Sequence, residues 1–91
     1  MDTYAKVAKQ IIKEQESIIG PLAFDQARKV AGIQIDASGE VSITGNGKEV
    51  LDHLVRQYSE LFGRASVEVC KEAVKEVSSS IDSNDLPEIL K

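Results

Sequence analysis

The spacing of apolar residues along this chain limits its fold to one class. Over residues 3–31 and again over residues 48–79, apolar side chains recur every three or four positions, which is the period of an amphipathic helix. Between these parts, residues 33–43 alternate apolar and polar side chains, which is the period of a β-strand. A chain of 91 residues has the size of one domain. The pattern predicts an α+β fold with about four helices packed on one face of a two-stranded antiparallel hairpin, in the order ααββαα.

The helix predicted at residues 48–62 has the clearest signals at both ends. Asn46 is typical of an N-cap, with Glu49 as its capping-box partner, and Gly63 is typical of a helix C-terminus. Almost every apolar residue of the segment falls on one helical face, which we expect to pack on the core. That face contains Val50, Leu51, Leu54, Val55, Tyr58, Leu61 and Phe62.

Three further helices are predicted from the same period. The first spans Thr3 to Ile19 and stops near Gly20, because Pro21 has no N–H group and clashes with the preceding turn. Proline is favoured in the first turn of a helix, so a second helix is predicted from Pro21 to Ala31. The last helix is predicted from about Ala65 to Ser79.

The hairpin is predicted with a three-residue loop at 37–39. Asp36 can accept hydrogen bonds from the turn backbone, and Gly39 can supply the positive φ that such a loop needs. This arrangement places Ile35 opposite Val41. Residues 1–80 are predicted to form a single compact domain, whereas residues 81–91 are expected to be a flexible or loosely docked C-terminal tail.

The composition disfavours several classes of function. The net charge of −4 disfavours nucleic-acid binding, because affinity for phosphate backbones depends on lysine and arginine. Charges of opposite sign are mixed along the helices, so no basic patch is expected. No apolar run approaches the ~18–20 residues of a membrane span, and no leader pattern is present, so a soluble cytoplasmic protein without membrane contact is expected.

Residues with catalytic or metal-binding chemistry are few. Cys70 is the single cysteine and His53 the single histidine, so the sequence has no Cys/His cluster for a metal. Cys70 lies on an apolar helical stripe and is expected to be buried, whereas His53 is expected to face solvent. We predict no enzyme activity, no catalytic or metal-ligating residue and no cofactor.

One short segment resembles a known motif. Residues Ile18-Ile19-Gly20-Pro21-Leu22-Ala23 resemble the I-G-P-[IL]-A motif of small, mostly helical accessory domains in bacterial signalling proteins. Those proteins include chains with protein kinase, cyclase or roadblock-type modules. The resemblance implies a non-catalytic interaction role.

The leading functional hypothesis is a regulatory or adaptor module that binds a protein partner or a second copy of itself. It is motivated by the absence of a catalytic constellation and by more apolar helical surface than a hairpin can cover. The candidate interface residues are Tyr4, Val7 and Ile11, or Leu86, Ile89 and Leu90 in the tail.

Two alternatives belong to other classes of function. A small-molecule sensor would hold its ligand between the hairpin and the side chains of Phe24 and Tyr58. A winged-helix-like nucleic-acid-binding protein is suggested by residues 60–69, which resemble a helix-turn-helix beside a hairpin. The glutamates at positions 68, 72 and 76 would face the phosphates, which disfavours this alternative.

Overall fold

The helices and the hairpin follow one another in the predicted order. The computed structural model describes residues 3–77, 79 and 81–91. Over these residues the chain forms four α-helices and one antiparallel hairpin, which confirms the α+β prediction and the order ααββαα. The elements are α1 (Thr3–Ile19), α2 (Leu22–Arg28), β1 (Ile33–Ile35), β2 (Val41–Ile43), α3 (Gly47–Phe62) and α4 (Arg64–Glu76), followed by 3₁₀ turns at Ser83–Asp85 and Glu88–Leu90.

Local signals set most of the helix ends. The side chain of Asn46 accepts a hydrogen bond from the backbone N–H of Glu49 at 3.1 Å, which confirms the predicted N-cap of α3. The predicted end of α2 at Ala31 is wrong, because the helix ends at Arg28. The N–H groups of Lys29 and Val30 instead donate to carbonyls three residues back, which tightens the backbone into a turn.

The hairpin has the predicted register, with Ile35 paired to Val41. One carboxylate oxygen of Asp36 accepts from the backbone N–H groups of Ser38 at 2.9 Å and Glu40 at 3.0 Å, and Gly39 has a φ of +89°. The Ser38 hydroxyl donates to the same oxygen, and with these backbone groups it holds the pKa of Asp36 below its usual 3.8. Ile33 is buried, while the other apolar residues of the two strands, Ile35, Val41 and Ile43, pack partly buried against the core.

The core is aliphatic, with Tyr58 as its largest fully buried side chain. Burial of the phenol requires a partner for its hydroxyl, which donates to the carbonyl of Ala23 at 2.6 Å and links α3 to α2. All four helices and the hairpin contribute apolar side chains to it. Among the described residues, completely buried members are Val7, Ala8, Ile11, Ile12, Ala23, Ala27, Leu51, Leu54, Val55, Tyr58, Cys70 and Ala73.

The C-terminal segment packs on the domain through specific contacts. Leu86 and Leu90 lie in the core, at 6% and 4% exposure. Tyr4 donates from its hydroxyl to the carbonyl of Asp85 at 3.1 Å, and its ring packs on Gly47, where an added Cβ would overlap it. Residues 86–90 are therefore part of the packed domain rather than the loose tail that the sequence predicts.

Candidate functional site

The interface predicted on α1 is largely buried. Val7 and Ile11 have 0% exposure, because the stripe that carries them forms the face of α1 that packs on the core. A side chain without accessible surface cannot contact a partner, so the prediction is wrong for these two residues in the folded chain. Tyr4 is half-buried and is engaged with Gly47 and Asp85.

The interface predicted in the C-terminal segment is also largely buried. Leu86 and Leu90 are core residues, and Ile89 is a partly buried residue that packs against the core. The physical reason is that the segment closes over α3 and α4 and uses its leucines to complete the aliphatic core. Ile89 alone of the three keeps a moderate exposure.

The two residues of the predicted ligand pocket belong to the packed interior. Tyr58 is completely buried, and burial raises the pKa of its hydroxyl well above the usual 10.0. Phe24 is half-buried and packs against the core. Tyr58 is thus enclosed by protein atoms rather than open to a ligand.

Four large apolar side chains are exposed among the described residues, and they lie beside the two helix joints. Ile18 and Leu22 flank the joint between α1 and α2, with 62% and 48% exposure. Leu61 and Phe62, at the end of α3, are 52% and 36% exposed although they continue its apolar face. We call these four side chains the apolar end.

Two buried hydrogen bonds show that both joints lie at the same end of the molecule. Tyr58 is bonded to Ala23, which places the last turn of α3 beside the start of α2. The side-chain amide of Gln15 donates to the carbonyl of Ser66 at 3.0 Å, which places the last turn of α1 beside the start of α4. The apolar end is therefore assembled from the consecutive helices α1 and α2 and from α3, which is distant from them in sequence.

The charges around the apolar end are mainly acidic. Glu16, Asp25 and Glu60 are exposed within two or three residues of its members, and Arg64 is the nearby basic residue on α4. Asp25 is 3.7 Å from Arg28, an exposed pair that contributes little stability. The rim therefore favours a partner that carries positive charge.

A second surface feature is a groove of about 270 Å³ beside α1. Lys6, Lys9 and Lys13 line one wall, because positions i, i+3 and i+7 share one helical face. Glu40 pairs with Lys9 at 2.8 Å, and Ala5, Val41 and Val77 supply apolar lining. We call this feature the lysine groove.

Gln15 and Cys70 form a buried polar pair between α1 and α4. The side-chain amide of Gln15 lies 3.4 Å from the sulfur of Cys70, and both residues are within 1% of complete burial. Burial raises the pKa of the Cys70 thiol from its usual 9.0 to about 11, although the hydrogen bond from Gln15 opposes this. A thiol that stays protonated is a poor nucleophile, which agrees with the expected structural role.

Two further predictions concern His53 and the joint between α3 and α4. His53 is exposed, as expected, and lines a shallow groove with Thr44, Gly45 and Asn46. The helices α3 and α4 are joined by Gly63 alone, whereas a helix-turn-helix uses a turn of about three or four residues. The joint therefore gives no support to the winged-helix alternative.

Comparison with known proteins found no similar protein. No family model matches the sequence, and neither a curated protein nor a solved structure is significantly similar to it. Within the residues that the structure describes, no group of His, Cys, Asp and Glu side chains is arranged to hold a metal ion. No helix in that part of the chain has the length and hydropathy that crossing a membrane requires.

The sequence contained a signal for both surface features. The members of the apolar end lie next to the glycine joints at Gly20 and Gly63. At such helix ends the apolar stripe extends beyond the elements that cover it. The three lysines share one face of α1. The net charge summed along the sequence hides this, because it includes acidic neighbours such as Glu14 and Glu16.

Proposed function

We propose that this chain is a non-catalytic regulatory or adaptor module whose apolar end binds an amphipathic helical segment of another protein. The observation that carries the proposal is that Ile18, Leu22, Leu61 and Phe62 are exposed beside two helix joints, which the Tyr58–Ala23 and Gln15–Ser66 hydrogen bonds bring to the same end of the molecule. Exposed apolar side chains that cluster, rather than occur singly, are characteristic of interaction sites. An amphipathic helix binds such a surface through apolar residues spaced one turn apart.

The size of the apolar end favours a short segment over a second copy of the chain. If a fully exposed large side chain offers ~200 Å², the four exposures amount to roughly 400 Å². A stable dimer buries about 800 Å² on each partner. One helix of three or four turns covers the smaller area.

The charge of the module also favours a partner over self-association. Two copies would bring the exposed Glu16, Asp25 and Glu60 of one chain towards those of the other, and each chain has a net charge of −4. A partner helix with lysine or arginine beside its apolar residues would complement this rim. We therefore expect a basic amphipathic helix.

The motif resemblance is consistent with this role. Ile18 and Leu22 belong to the segment that resembles the accessory domains of bacterial signalling proteins, and both contribute to the apolar end. A docking function of this kind requires no catalytic group. We place the module in the cytoplasm, as part of a signalling protein or complex.

The proposal can be tested with a labelled helical peptide and fluorescence anisotropy. The probe is a 16-residue peptide with leucines one turn apart and lysines elsewhere, and its control is a scrambled peptide of equal composition. We expect the intact chain to bind the probe at least about tenfold more tightly than the scrambled peptide. Leu22→Ser and Leu61→Ser should each abolish that preference, whereas Ala31→Ser, an exposed position outside the apolar end, should retain it.

Two results would contradict the proposal. One is that the intact chain binds the probe and the scrambled peptide with equal affinity, or that both serine variants bind the probe as tightly as the intact chain does. The other is a concentration-dependent dimer in sedimentation equilibrium that Leu61→Ser dissociates, which would assign the apolar end to a second copy instead.

A further inference from the structure

We propose that the lysine groove binds a small organic phosphate that carries at least two negative charges. The groove concentrates lysines on a chain that has 15 acidic and 11 basic residues. Three of those basic residues line it, and Glu40 is the acidic residue in its lining. The site lies along α1 and the hairpin, and it does not depend on the proposed docking function.

The geometry of α1 sets the spacing of the positive charges. With a rise of 1.5 Å per residue, Lys6, Lys9 and Lys13 extend over roughly 10 Å on one side of the helix. Like charges three or four residues apart disfavour a helix, so an anion that bridges them is bound more tightly than it would be by one lysine. Lysine binds phosphate as a point charge and needs no fixed fork geometry.

Glu40 does not block the site. Its carboxylate lies 2.8 Å from the ammonium group of Lys9, but the two side chains are 62% and 42% exposed. An exposed pair of this kind is weak, so a phosphate with higher charge can replace the carboxylate at Lys9. The groove then holds a phosphate between Lys9 and Lys13, with Lys6 beyond it.

The apolar lining indicates more than an inorganic ion. Ala5, Val41 and Val77 share the groove with the lysines. A ligand with a flat apolar group next to its phosphates can place that group on these side chains and leave the phosphates partly solvated. The volume of about 270 Å³ suits a compact molecule such as a nucleoside diphosphate, part of which extends into solvent.

Calorimetric titration with ADP and with inorganic pyrophosphate at fixed ionic strength tests the site. We expect both to bind, with ADP tighter because its base packs on the apolar lining; tighter binding of pyrophosphate would contradict the preference for an organic phosphate. The double variant Lys9→Gln/Lys13→Gln should weaken binding at least about tenfold, because each ammonium group next to a phosphate raises the affinity by a few-fold. The control Lys29→Gln changes the same charge at an exposed position outside the groove and should change the affinity less than about twofold.

Glu40→Gln supplies a test that loss of folding cannot imitate. Because it removes the acidic residue from the lining, it should tighten binding of both probes by about threefold. Backbone amide shifts in NMR spectra should be largest around Lys9, Val41 and Val77 for either probe. No binding of either probe, equal affinities of the Lys9/Lys13 double variant and Lys29→Gln, or weaker binding by Glu40→Gln would overturn the proposal.

Discussion

The contact between Tyr4 and Gly47 makes an unusual prediction for the substitution Gly47→Ala. Alanine is more favourable than glycine by about 1 kcal/mol in a helix interior and by less at the first residue of a helix, which Gly47 is, so propensity alone predicts a slightly more stable protein. A methyl group at this position would overlap the ring of Tyr4, and overpacking costs about 1–3 kcal/mol. Moving the ring aside also weakens the hydrogen bond from Tyr4 to Asp85, which contributes about 1 kcal/mol.

The balance of these effects is a destabilisation of about 1–2 kcal/mol. For a domain of this size, that free energy corresponds to a fall in Tm of roughly 5–15 °C. Thermal and urea unfolding followed by circular dichroism would measure it. The matched control is the same substitution in a Tyr4→Ala background, where the obstructing ring is absent and Gly47→Ala should be neutral or stabilising by up to about 1 kcal/mol. A stabilising effect in the presence of Tyr4, or the same effect in both backgrounds, would refute the reasoning.

Two further predictions concern the buried pair between α1 and α4. Gln15→Ala should lower the free energy of unfolding by about 2–4 kcal/mol, whereas Gln15→Met, which keeps the volume, should cost less than about 1.5 kcal/mol in urea unfolding; equal costs would contradict a packing role. The pKa of the Cys70 thiol is about 11 in the folded state and 9.0 when unfolded, so this thiol alone should lower the free energy of unfolding by roughly 2 kcal/mol as pH rises through this range. In Cys70→Ala this contribution should disappear and leave a smaller decline centred near pH 10, where unfolded Tyr58 ionises; an unchanged pH profile would show that the thiol is not the cause.

Much of the fold could be predicted because its signals are local. The cap at Asn46 and the Asp36 turn depend on hydrogen bonds within a few residues, and the structure contains both. The hairpin register follows from the loop length once Gly39 takes a positive φ. The end of α2 could not be predicted in the same way, because the tightened turn at Lys29 and Val30 depends on where the hairpin must start.

The candidate surfaces were harder to predict, because exposure is a property of the tertiary structure. Val7, Ile11, Leu61 and Phe62 all lie on apolar helical faces, yet the first two are enclosed and the last two are exposed. Periodicity shows which face of a helix is apolar but not how far the neighbouring elements extend along it. Periodicity therefore predicts burial wrongly for residues at the end of an apolar stripe, where the neighbouring elements no longer cover the helix.

The hydrogen bond between Tyr4 and Asp85 joins positions 81 residues apart, which has a consequence for how the protein is made. The ribosome synthesises the chain from the N-terminus to the C-terminus, so α1 emerges long before the C-terminal residues that pack against it. Until Leu86 and Leu90 have emerged, the nascent chain has an apolar surface on α3 and α4 that its own later residues will cover. Chaperones that recognise exposed apolar segments would meet this chain during synthesis and lose their binding surface when Leu90 packs.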